Sequence, residues 1–505
     1  MGDEDDDGSS TLATQGGIGL VGNVAGKALG FLFVAVVTRL VSPDEYGVFV
    51  LGVSVVMFVQ GFASLNIYRS IDYFVPQFLD DGDHGRAKRA LQNAFLIGIA
   101  SSIAGVVALV LLRNQVASLF DEPRLEFVLL LLGVLIPLQT VNRLTLTSFN
   151  SIKKIKYRVL TQKLINPIVK TLAAAGLVLG GAGVAGLVGG QLVGVAVAIV
   201  CGVAFFLYEV DWYRGATPTS VSSRSLVSYS LPLVLAGVIY SMVGQIDFFV
   251  IGYFRSSEEV GQYRVAYLLG SSLLLVLRGF TPVFKPMIAE ATSDPATIRN
   301  RYQLATRWIT ILTLPVALTL VLAPDVYFSV LFTDEYVVAS AALVALVVGY
   351  IINAGSGPEG MVLEGLGFTR LTLLNSVVLV GVNTTLDIVL VPRLGMLGAG
   401  IATGTALATA SLLGIAEIYL LRGVHPVSLD LLKAYAGAAV PVAFGAGVVL
   451  IVDSELVVFA LLPVCLPLLY LIGLRTIGGF TEDDVRVATQ FDERLGYDVA
   501  TRIVR

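Results

Sequence analysis

Apolar residues along the chain are grouped in long runs that short polar segments separate. The runs recur from Ile18 to Leu474, and many of them approach the roughly 20 residues that a helix needs to cross the hydrocarbon layer of a membrane. Backbone amides in lipid must be hydrogen-bonded internally, so each run is predicted to be a helix. The pattern therefore predicts an all-α, polytopic membrane protein of about fourteen transmembrane helices.

The predicted helices form two sets of six and a final pair. The first six cover residues 18–40, 47–68, 91–112, 125–148, 159–180 and 184–207. The next six cover residues 225–254, 260–290, 303–323, 337–366, 371–391 and 397–421, and the final pair covers 434–452 and 456–474. We expect an acidic, disordered cytoplasmic tail at 1–17, an N-lobe at 18–207, a C-lobe at 225–421, a helix pair at 434–474 and a cytoplasmic C-terminal tail at 475–505.

Three short segments of the first half recur in the second half in the same order. They are residues 42–49 with 256–263, at an offset of 214, and residues 119–122 with 331–335 and 183–187 with 395–399, at an offset of 212. Six helices restore the direction of the chain, so the two halves are predicted to be parallel repeats about an axis along the membrane normal. Such a pair of bundles predicts a substrate site between them, near the middle of the membrane.

Composition and charge agree with this prediction and add an orientation. With 56% hydrophobic and 14% charged residues and a mean hydropathy of +0.83, a water-soluble fold is excluded. The connecting segments on one side contain twenty Lys and Arg residues, whereas those on the other side contain four, at Arg113, Arg124, Arg255 and Arg393. Because basic loops stay in the cytoplasm, both termini are predicted to be cytoplasmic and the protein to lie in the cell membrane.

Cysteine and histidine are too sparse to form a reactive centre. Cys201 and Cys465 both fall inside apolar runs, and His84 and His425 lie in different loops. We therefore expect no disulfide framework, no metal site and no catalytic residues. We also expect no cofactor and no nucleic-acid partner.

Several segments are similar to one family of transporters. They are residues 245–252 with 256–266, residues 39–47, residues 331–336 and residues 386–403. The first of them resembles the middle of polysaccharide and O-antigen flippases, and the others resemble further recurring segments of the same proteins. The resemblance implies the multidrug/oligosaccharidyl-lipid/polysaccharide exporter superfamily, with two six-helix lobes around a central cavity. Flippases of this superfamily carry undecaprenyl- or dolichyl-linked sugars, whereas its drug-exporting branch shares the architecture, so the fold does not choose the cargo.

Basic side chains occur inside several predicted helices. They are Lys27, Arg143, Lys163, Lys170, Arg278 and Arg307. A charge at the centre of a membrane helix costs roughly 2.5 to 3.5 kcal/mol, so each needs a partner or a water-filled cavity. Snorkelling to the membrane surface is the alternative for Arg143, Lys163 and Arg307. Lys27, Lys170 and Arg278 lie too deep for this explanation, and we expect them to contact substrate.

The eighth predicted helix contains a polar residue at every seventh position. These residues are Arg264, Ser271, Arg278 and Lys285. A seven-residue step drifts by only about 20° on a straight helix, so they are predicted to form one polar stripe. We expect the stripe to be a cavity wall that binds a phosphate or diphosphate group, to which guanidinium is suited. Alternatively, the ends of the stripe snorkel and its centre pairs with Asp247 or Asp387.

Acidic residues are distributed differently from the basic ones. The first six predicted helices contain no clear deep carboxylate, whereas the second half has Asp247, Glu364, Asp387 and Glu417. Asp247 and Asp387 are candidates for binding a coupling cation, although a structural pairing or capping role explains them equally well. Three glycines and a proline in residues 355–360 predict a hinge or a simple break in the tenth helix.

The sequence favours a flippase that moves a polyprenyl or dolichyl (di)phosphate-linked sugar from the cytoplasmic to the outer leaflet by alternating access. Its expected partners are the lipid-linked sugar, the bilayer and glycosyltransferases of the same pathway. A cation-coupled multidrug antiporter is the nearest alternative, and the basic first lobe disfavours it. A membrane glycosyltransferase or polymerase is a further alternative, which would need an acidic metal-binding motif or a long outer loop.

Overall fold

The computed structural model describes residues 22–242, 244–292, 294–482, 484–486 and 489. The predicted acidic tail at 1–17 and most of the predicted C-terminal tail at 475–505 lie outside these residues. The chain divides into two compact units, Met1–Gly261 and Gln262–Arg505. This division falls later in the chain than the limit predicted between the two lobes, and the lobe boundaries themselves stay a prediction.

All regular elements in the described part of the first unit are helical. They are α1 Gly22–Val37, α2 Pro43–Ala63, α3 Tyr68–Asp80, α4 His84–Leu119, α5 Arg124–Gly133, α6 Leu135–Ser151, α7 Ile155–Val159, α8 Asn166–Leu177, α9 Gly183–Glu209, α10 Asp211–Gly215, α11 Ser223–Met242 and α12 Ile246–Phe254. Two π-helical turns, Leu160–Ile165 and Val178–Ala182, flank α8.

The second unit is also built from helices over its described residues. Helix α13, Ser257–Ser271, begins in the first unit and continues into the second. The others are α14 Leu274–Glu290, α15 Pro295–Leu322, α16 Pro324–Leu331, a 3-10 helix at Asp334–Ala339, α17 Ser340–Ser356, α18 Glu359–Gly365, α19 Thr369–Leu394, α20 Met396–Arg422, α21 Leu429–Ala436, α22 Ala439–Ile451 and α23 Glu455–Thr476.

The prediction of an all-α, multi-pass membrane protein is confirmed, but the count of fourteen is not. Within the described residues, ten helical stretches are long and apolar enough to cross a membrane, or eleven if the bent pair α13 and α14 is one span. The count falls for three local reasons. Of the first predicted helix only Gly22–Val37 is described as helical, the seventh predicted helix is divided into α11 and α12, and the fifth and sixth count as one stretch, Ile155–Glu209, although the chain turns between them at Gly181 and Gly183.

The turns between the fifth and sixth and between the eleventh and twelfth predicted helices have the same backbone conformation. Gly183 has φ 49° and ψ −130°, and Gly395, at the repeat offset of 212, has φ 56° and ψ −136°. Positive φ is accessible to glycine without the clash that a Cβ brings. Three residues later, a Cβ on Gly186 or Gly398 would lie 2.9 Å or 2.7 Å from the backbone that precedes the turn. The sequence repeat is thus also a repeat of local structure.

A second pair of repeat-related glycines forms a reciprocal contact where α2 and α13 begin. A Cβ on Gly47 would lie 1.6 Å from the carbonyl oxygen of Ser257, and a Cβ on Gly261 would lie 2.1 Å from that of Pro43. Both partners are related by the same offset of 214 as the glycines. Only glycine permits this approach of two helix backbones.

Candidate functional site

Three lysines predicted to lie inside membrane helices are found where α1 packs against α8 and the turn before it. Gly26 of α1 lies against Lys163, whose Cδ atom would be 2.8 Å from a Cβ at that glycine. Lys27, the next residue of α1, is exposed. Lys170 of α8 is half-buried, with its Nζ atom 3.6 Å from the centroid of the Phe33 ring. The Lys170 ammonium therefore has a cation–π contact, which is stronger away from bulk water.

Arg143 of α6 lies near an arginine that the sequence analysis missed. The guanidinium carbon of Arg143 is 6.0 Å from the centroid of the Tyr68 ring, and that of Arg69 is 5.4 Å from the same centroid. Arg69 is exposed and Arg143 is half-buried. The second helix is predicted to end at residue 68, which places Arg69 in a loop. In the structure α3 carries it as a helical residue.

The straight polar stripe predicted for the eighth helix is wrong. Arg264 and Ser271 lie on α13, Arg278 and Lys285 lie on α14, and the two helices are bent by 49° at the break between them. The Ser272 hydroxyl donates to a backbone carbonyl of the preceding turn at 2.6 Å. Such back-bonding competes with the regular helix and favours a bend. The four residues therefore do not share one face of one straight helix.

Lys285, the last residue of the predicted stripe, forms an ion pair within the protein. Lys285 donates to the Glu364 carboxylate of α18 at 2.7 Å, and both side chains are partly exposed. Arg278 is exposed and Arg264 is half-buried. Lys285 can bind a substrate anion only in competition with Glu364, which weakens its assignment relative to that of Arg278.

Arg307 of α15 does not snorkel. It is 2% exposed and forms an ion pair with Asp484, which is 8% exposed. Its guanidinium also donates to the Gly479 carbonyl at 2.7 Å and to the Thr481 hydroxyl at 3.1 Å. The segment after α23, which belongs to the predicted cytoplasmic tail, thus contacts α15 through its described residues.

The two candidate residues for a coupling cation are both buried. Asp247, in the first turn of α12, is 1% exposed, and Asp387 of α19 is 0% exposed. One turn before Asp387, Asn383 donates to the Thr403 hydroxyl of α20 at 3.3 Å. Oxygen atoms of this kind are ligands for hard cations. Across the residues that the structure describes, no group of three or more His, Cys, Asp or Glu side chains could hold a metal ion.

The tenth predicted span is broken where its glycines and proline predict a hinge or break. Helix α17 ends at Ser356, and Gly357 follows with φ 75°. The carbonyl that the break frees at Ser356 accepts a hydrogen bond from Tyr302 at 2.8 Å. Just after the break, Glu359 accepts a hydrogen bond from Ser411 at 3.2 Å. A donor on the neighbouring helix α15 thus satisfies one backbone carbonyl at the break.

A charged network links the N-terminal ends of α2, α5 and α13. Arg124 donates to Asp44 at 2.7 and 2.9 Å and to Glu122 at 2.7 Å, and Ser257 lies within hydrogen-bonding distance of both carboxylates. Burial alone would raise the pKa of Glu122, but the hydrogen bonds from Arg124 and Ser257 lower it. The carboxylates of the network therefore stay ionised near neutral pH. Their hydrogen bonds hold three predicted outer loops together.

The structure has the fold of known lipid and drug transporters. It matches a lipid II flippase MurJ in an inward closed conformation with a TM-score of 0.71 and 14% identity, over 90% of this chain and 98% of that one. It also matches an inward-facing multidrug resistance MATE family transporter with a TM-score of 0.65 and 14% identity, over 79% of this chain and 94% of that one. These matches confirm the implied fold and leave the cargo open.

Sequence comparison narrows the family. The chain is 21% identical over 398 residues to the probable low-salt glycan biosynthesis flippase Agl15 of Haloferax volcanii, which covers 78% of this chain and 80% of that protein. It is 22% identical over 162 residues to the teichuronic acid biosynthesis protein TuaB of Bacillus subtilis, over 32% of this chain and 34% of that one. These four proteins are named as flippases, as a multidrug transporter or for teichuronic acid biosynthesis. A model of the polysaccharide biosynthesis protein family matches residues 36–341, more than half of the 505 residues, so the chain belongs to that family and the resemblance in its sequence is confirmed.

Proposed function

We propose that this protein is a flippase for a sugar linked to a polyprenyl or dolichyl (di)phosphate, acting from the cytoplasmic to the outer leaflet of the cell membrane. Both termini are cytoplasmic, and the glycan serves cell-surface or glycoprotein assembly. The similarity to a glycan biosynthesis flippase supports this proposal, as does the similarity of fold to a lipid II flippase. Glycosyltransferases of the same pathway supply the substrate.

The observation that carries the proposal is the set of cations held inside the helices of the first unit. Lys170 lies on the Phe33 ring, and the guanidinium carbons of Arg143 and Arg69 lie 6.0 Å and 5.4 Å from the Tyr68 ring centroid. Charges in membrane helices are costly, so they are retained where they contact something anionic. A lipid phosphate supplies that anion, while the lipid tail stays in the bilayer. Lys27, Arg264, Arg278 and Lys285 complete the proposed substrate-binding set, with Lys285 the weakest because of Glu364.

Alternating access moves the phosphate across the membrane in this proposal. The cytoplasm-facing state captures the anionic group, and the rearrangement then opens the site to the outer side. Asp247 and Asp387 are the proposed coupling-ion residues, since a carboxylate buried in a membrane helix is stabilised by a bound cation. Neutralising the carboxylate by proton or sodium binding would allow the conformational change to follow an ion gradient.

The test compares cations inside and outside the helices. We expect Lys170→Gln and Arg143→Gln to fold normally and to bind a polyprenyl phosphate sugar roughly tenfold more weakly, because a charge-assisted hydrogen bond is lost. Lys156→Gln is the matched control, since Lys156 is exposed and its Nζ lies 4.6 Å from the Tyr157 ring centroid. Binding is measured with the purified protein in nanodiscs, and flipping with labelled lipid in proteoliposomes. Unchanged binding in both variants would remove the anion site from the proposal.

A cation-coupled drug antiporter remains the second candidate because MATE transporters share the fold. An antiporter would export an organic cation and would not select a lipid phosphate. The same proteoliposomes distinguish the two, since gradient-driven uptake of a cationic dye without lipid flipping favours the antiporter.

A further inference from the structure

Helix α3 has one buried face and one exposed face that is polar. Ile71 and Val75 are 1% and 0% exposed and belong to a hydrophobic core shared with α4 and α6. Arg69, Asp72 and Gln77 are exposed on other sides of the helix. Charged and amide groups of this density are costly against lipid, so the exposed face of α3 contacts water.

Two tyrosines are stacked on this water-facing surface. The rings of Tyr73 on α3 and Tyr229 on α11 have centroids 4.4 Å apart and planes 18° apart. Phe74 packs edge-on against both, at 4.9 Å from Tyr73 and 5.7 Å from Tyr229. Tyr73 remains 45% exposed and Tyr229 37% exposed. Ser225 and Ser228, near Tyr229 on α11, are also exposed. A rigid aromatic surface therefore faces water and not the core.

Planar polar groups are carried by α3 next to Tyr73 in the sequence and by the end of α6. Asp72 precedes Tyr73; partial burial raises the pKa of its carboxyl group, and Arg69, Arg158 and a hydrogen bond from Asn150 oppose that rise. Arg158 in turn donates to the Asn150 side-chain oxygen at 2.9 Å. Carboxylate and carboxamide groups accept and donate hydrogen bonds in fixed planes. The surface thus combines exposed aromatic rings with oriented hydrogen-bonding groups.

The geometry points to a sugar-binding subsite in which a pyranose ring stacks on the Tyr73 and Tyr229 pair while Asp72 and Asn150 contact its hydroxyls. A pyranose presents C–H groups on its faces and hydroxyls around its rim, and C–H groups carry the positive charge that an aromatic face attracts. Arg69 lies one helical turn before Tyr73, a rise of about 6 Å, so one glycosylated lipid can reach both residues. The inference rests on the proposed function. It places the sugar on Tyr73 and Tyr229, which are not among the residues proposed to bind the phosphate.

Paired lipids separate the sugar contact from the phosphate contact. We compare polyprenyl phosphate carrying one hexose with bare polyprenyl phosphate, binding each to the full-length protein in nanodiscs. Tyr73→Leu and Tyr229→Leu should each weaken binding of the glycosylated lipid by roughly fivefold to tenfold and leave the bare lipid unchanged. Tyr73→Phe should keep the affinity, because the ring face remains. Tyr208→Leu, at a tyrosine of α9 that is 76% exposed, is the matched control and should change neither.

Asp72→Asn provides a second variant that keeps the size of the side chain, and it should lower only the affinity for the glycosylated lipid. The subsite would be overturned if Tyr73→Leu, Tyr229→Leu and Asp72→Asn lowered the affinity for both lipids equally. It would also be overturned if they lowered the affinity for neither lipid. Equal affinity of the unmodified protein for both lipids would overturn it while leaving the flippase intact. Failure of the unmodified protein to bind either lipid would remove the proposed function and the subsite together.

Discussion

Replacing Asp484 by alanine should destabilise the protein by about 3 kcal/mol, because it leaves the Arg307 guanidinium charged and buried. Breaking a buried ion pair by removing one partner costs roughly 3 to 5 kcal/mol. Arg307 keeps the Gly479 carbonyl and the Thr481 hydroxyl, so the lower end of that range applies. Trp308 also loses its acceptor, since its indole N–H donates to Asp484 at 3.1 Å.

The thermal midpoint is the appropriate measurement. An unfolding entropy of about 2.1 cal/mol/K per residue gives roughly 1 kcal/mol per degree for 505 residues, so the midpoint should fall by about 3 °C if the chain unfolds as one unit. The fall is larger if the unit that unfolds is smaller. Intrinsic fluorescence of the purified protein during heating reports the midpoint.

Two controls isolate the buried pair. Asp430→Ala removes the partly exposed pair of Asp430 with Lys433 at 3.1 Å, and it should cost no more than about 1 kcal/mol. The double variant Arg307→Met and Asp484→Leu should recover most of the lost stability, since apolar groups of similar volume replace such pairs without penalty. If Asp484→Ala melts no earlier than Asp430→Ala, the reasoning about the buried charge is wrong.

Three further outcomes are expected. Tags in the loops near Arg113 and Arg255 should react with impermeant reagents on intact cells, and tags at either terminus should not; reactive termini contradict the orientation. Asp247→Asn or Asp387→Asn should abolish the dependence of transport on a sodium or proton gradient in proteoliposomes, and unchanged dependence in both leaves these residues structural. Gly357→Ala should lower stability by at least 1 to 2 kcal/mol by denaturant titration, because a Cβ there meets a neighbouring side chain at 2.0 Å and φ is positive; Gly360→Ala, where a Cβ meets nothing within 4 Å, is its control.

The helical fold and its internal repeat could be predicted because both depend on local sequence patterns. Apolar runs determine which segments are membrane helices, and Gly183 and Gly395 determine where the chain turns, since their positive φ requires glycine. The break at Gly357 follows the same logic. Each of these features depends on residues that are close together in the sequence.

The partners of the charged side chains could not be predicted in the same way. Arg307 pairs with a residue 177 positions away, and hydropathy gives the depth of a charge but not its partner. The seven-residue spacing from Arg264 to Lys285 is real, yet it forms a stripe only on a straight helix. The bend between α13 and α14 is therefore decisive, and its sign in the sequence is confined to Gly270 and the two serines that follow it.

The reciprocal contact of Gly47 with Ser257 and of Gly261 with Pro43 has a consequence for the history of the chain. Two identical subunits around a two-fold axis form such contacts, because residue i of one copy meets residue j of the other and the reverse. In an ancestor with one copy of the repeat, a substitution at this glycine would have altered both halves of the contact at once. After duplication and fusion the two glycines mutate separately, yet a larger side chain at either one meets the backbone of the other segment. The backbone of each copy therefore limits which residues the other copy tolerates at its glycine position.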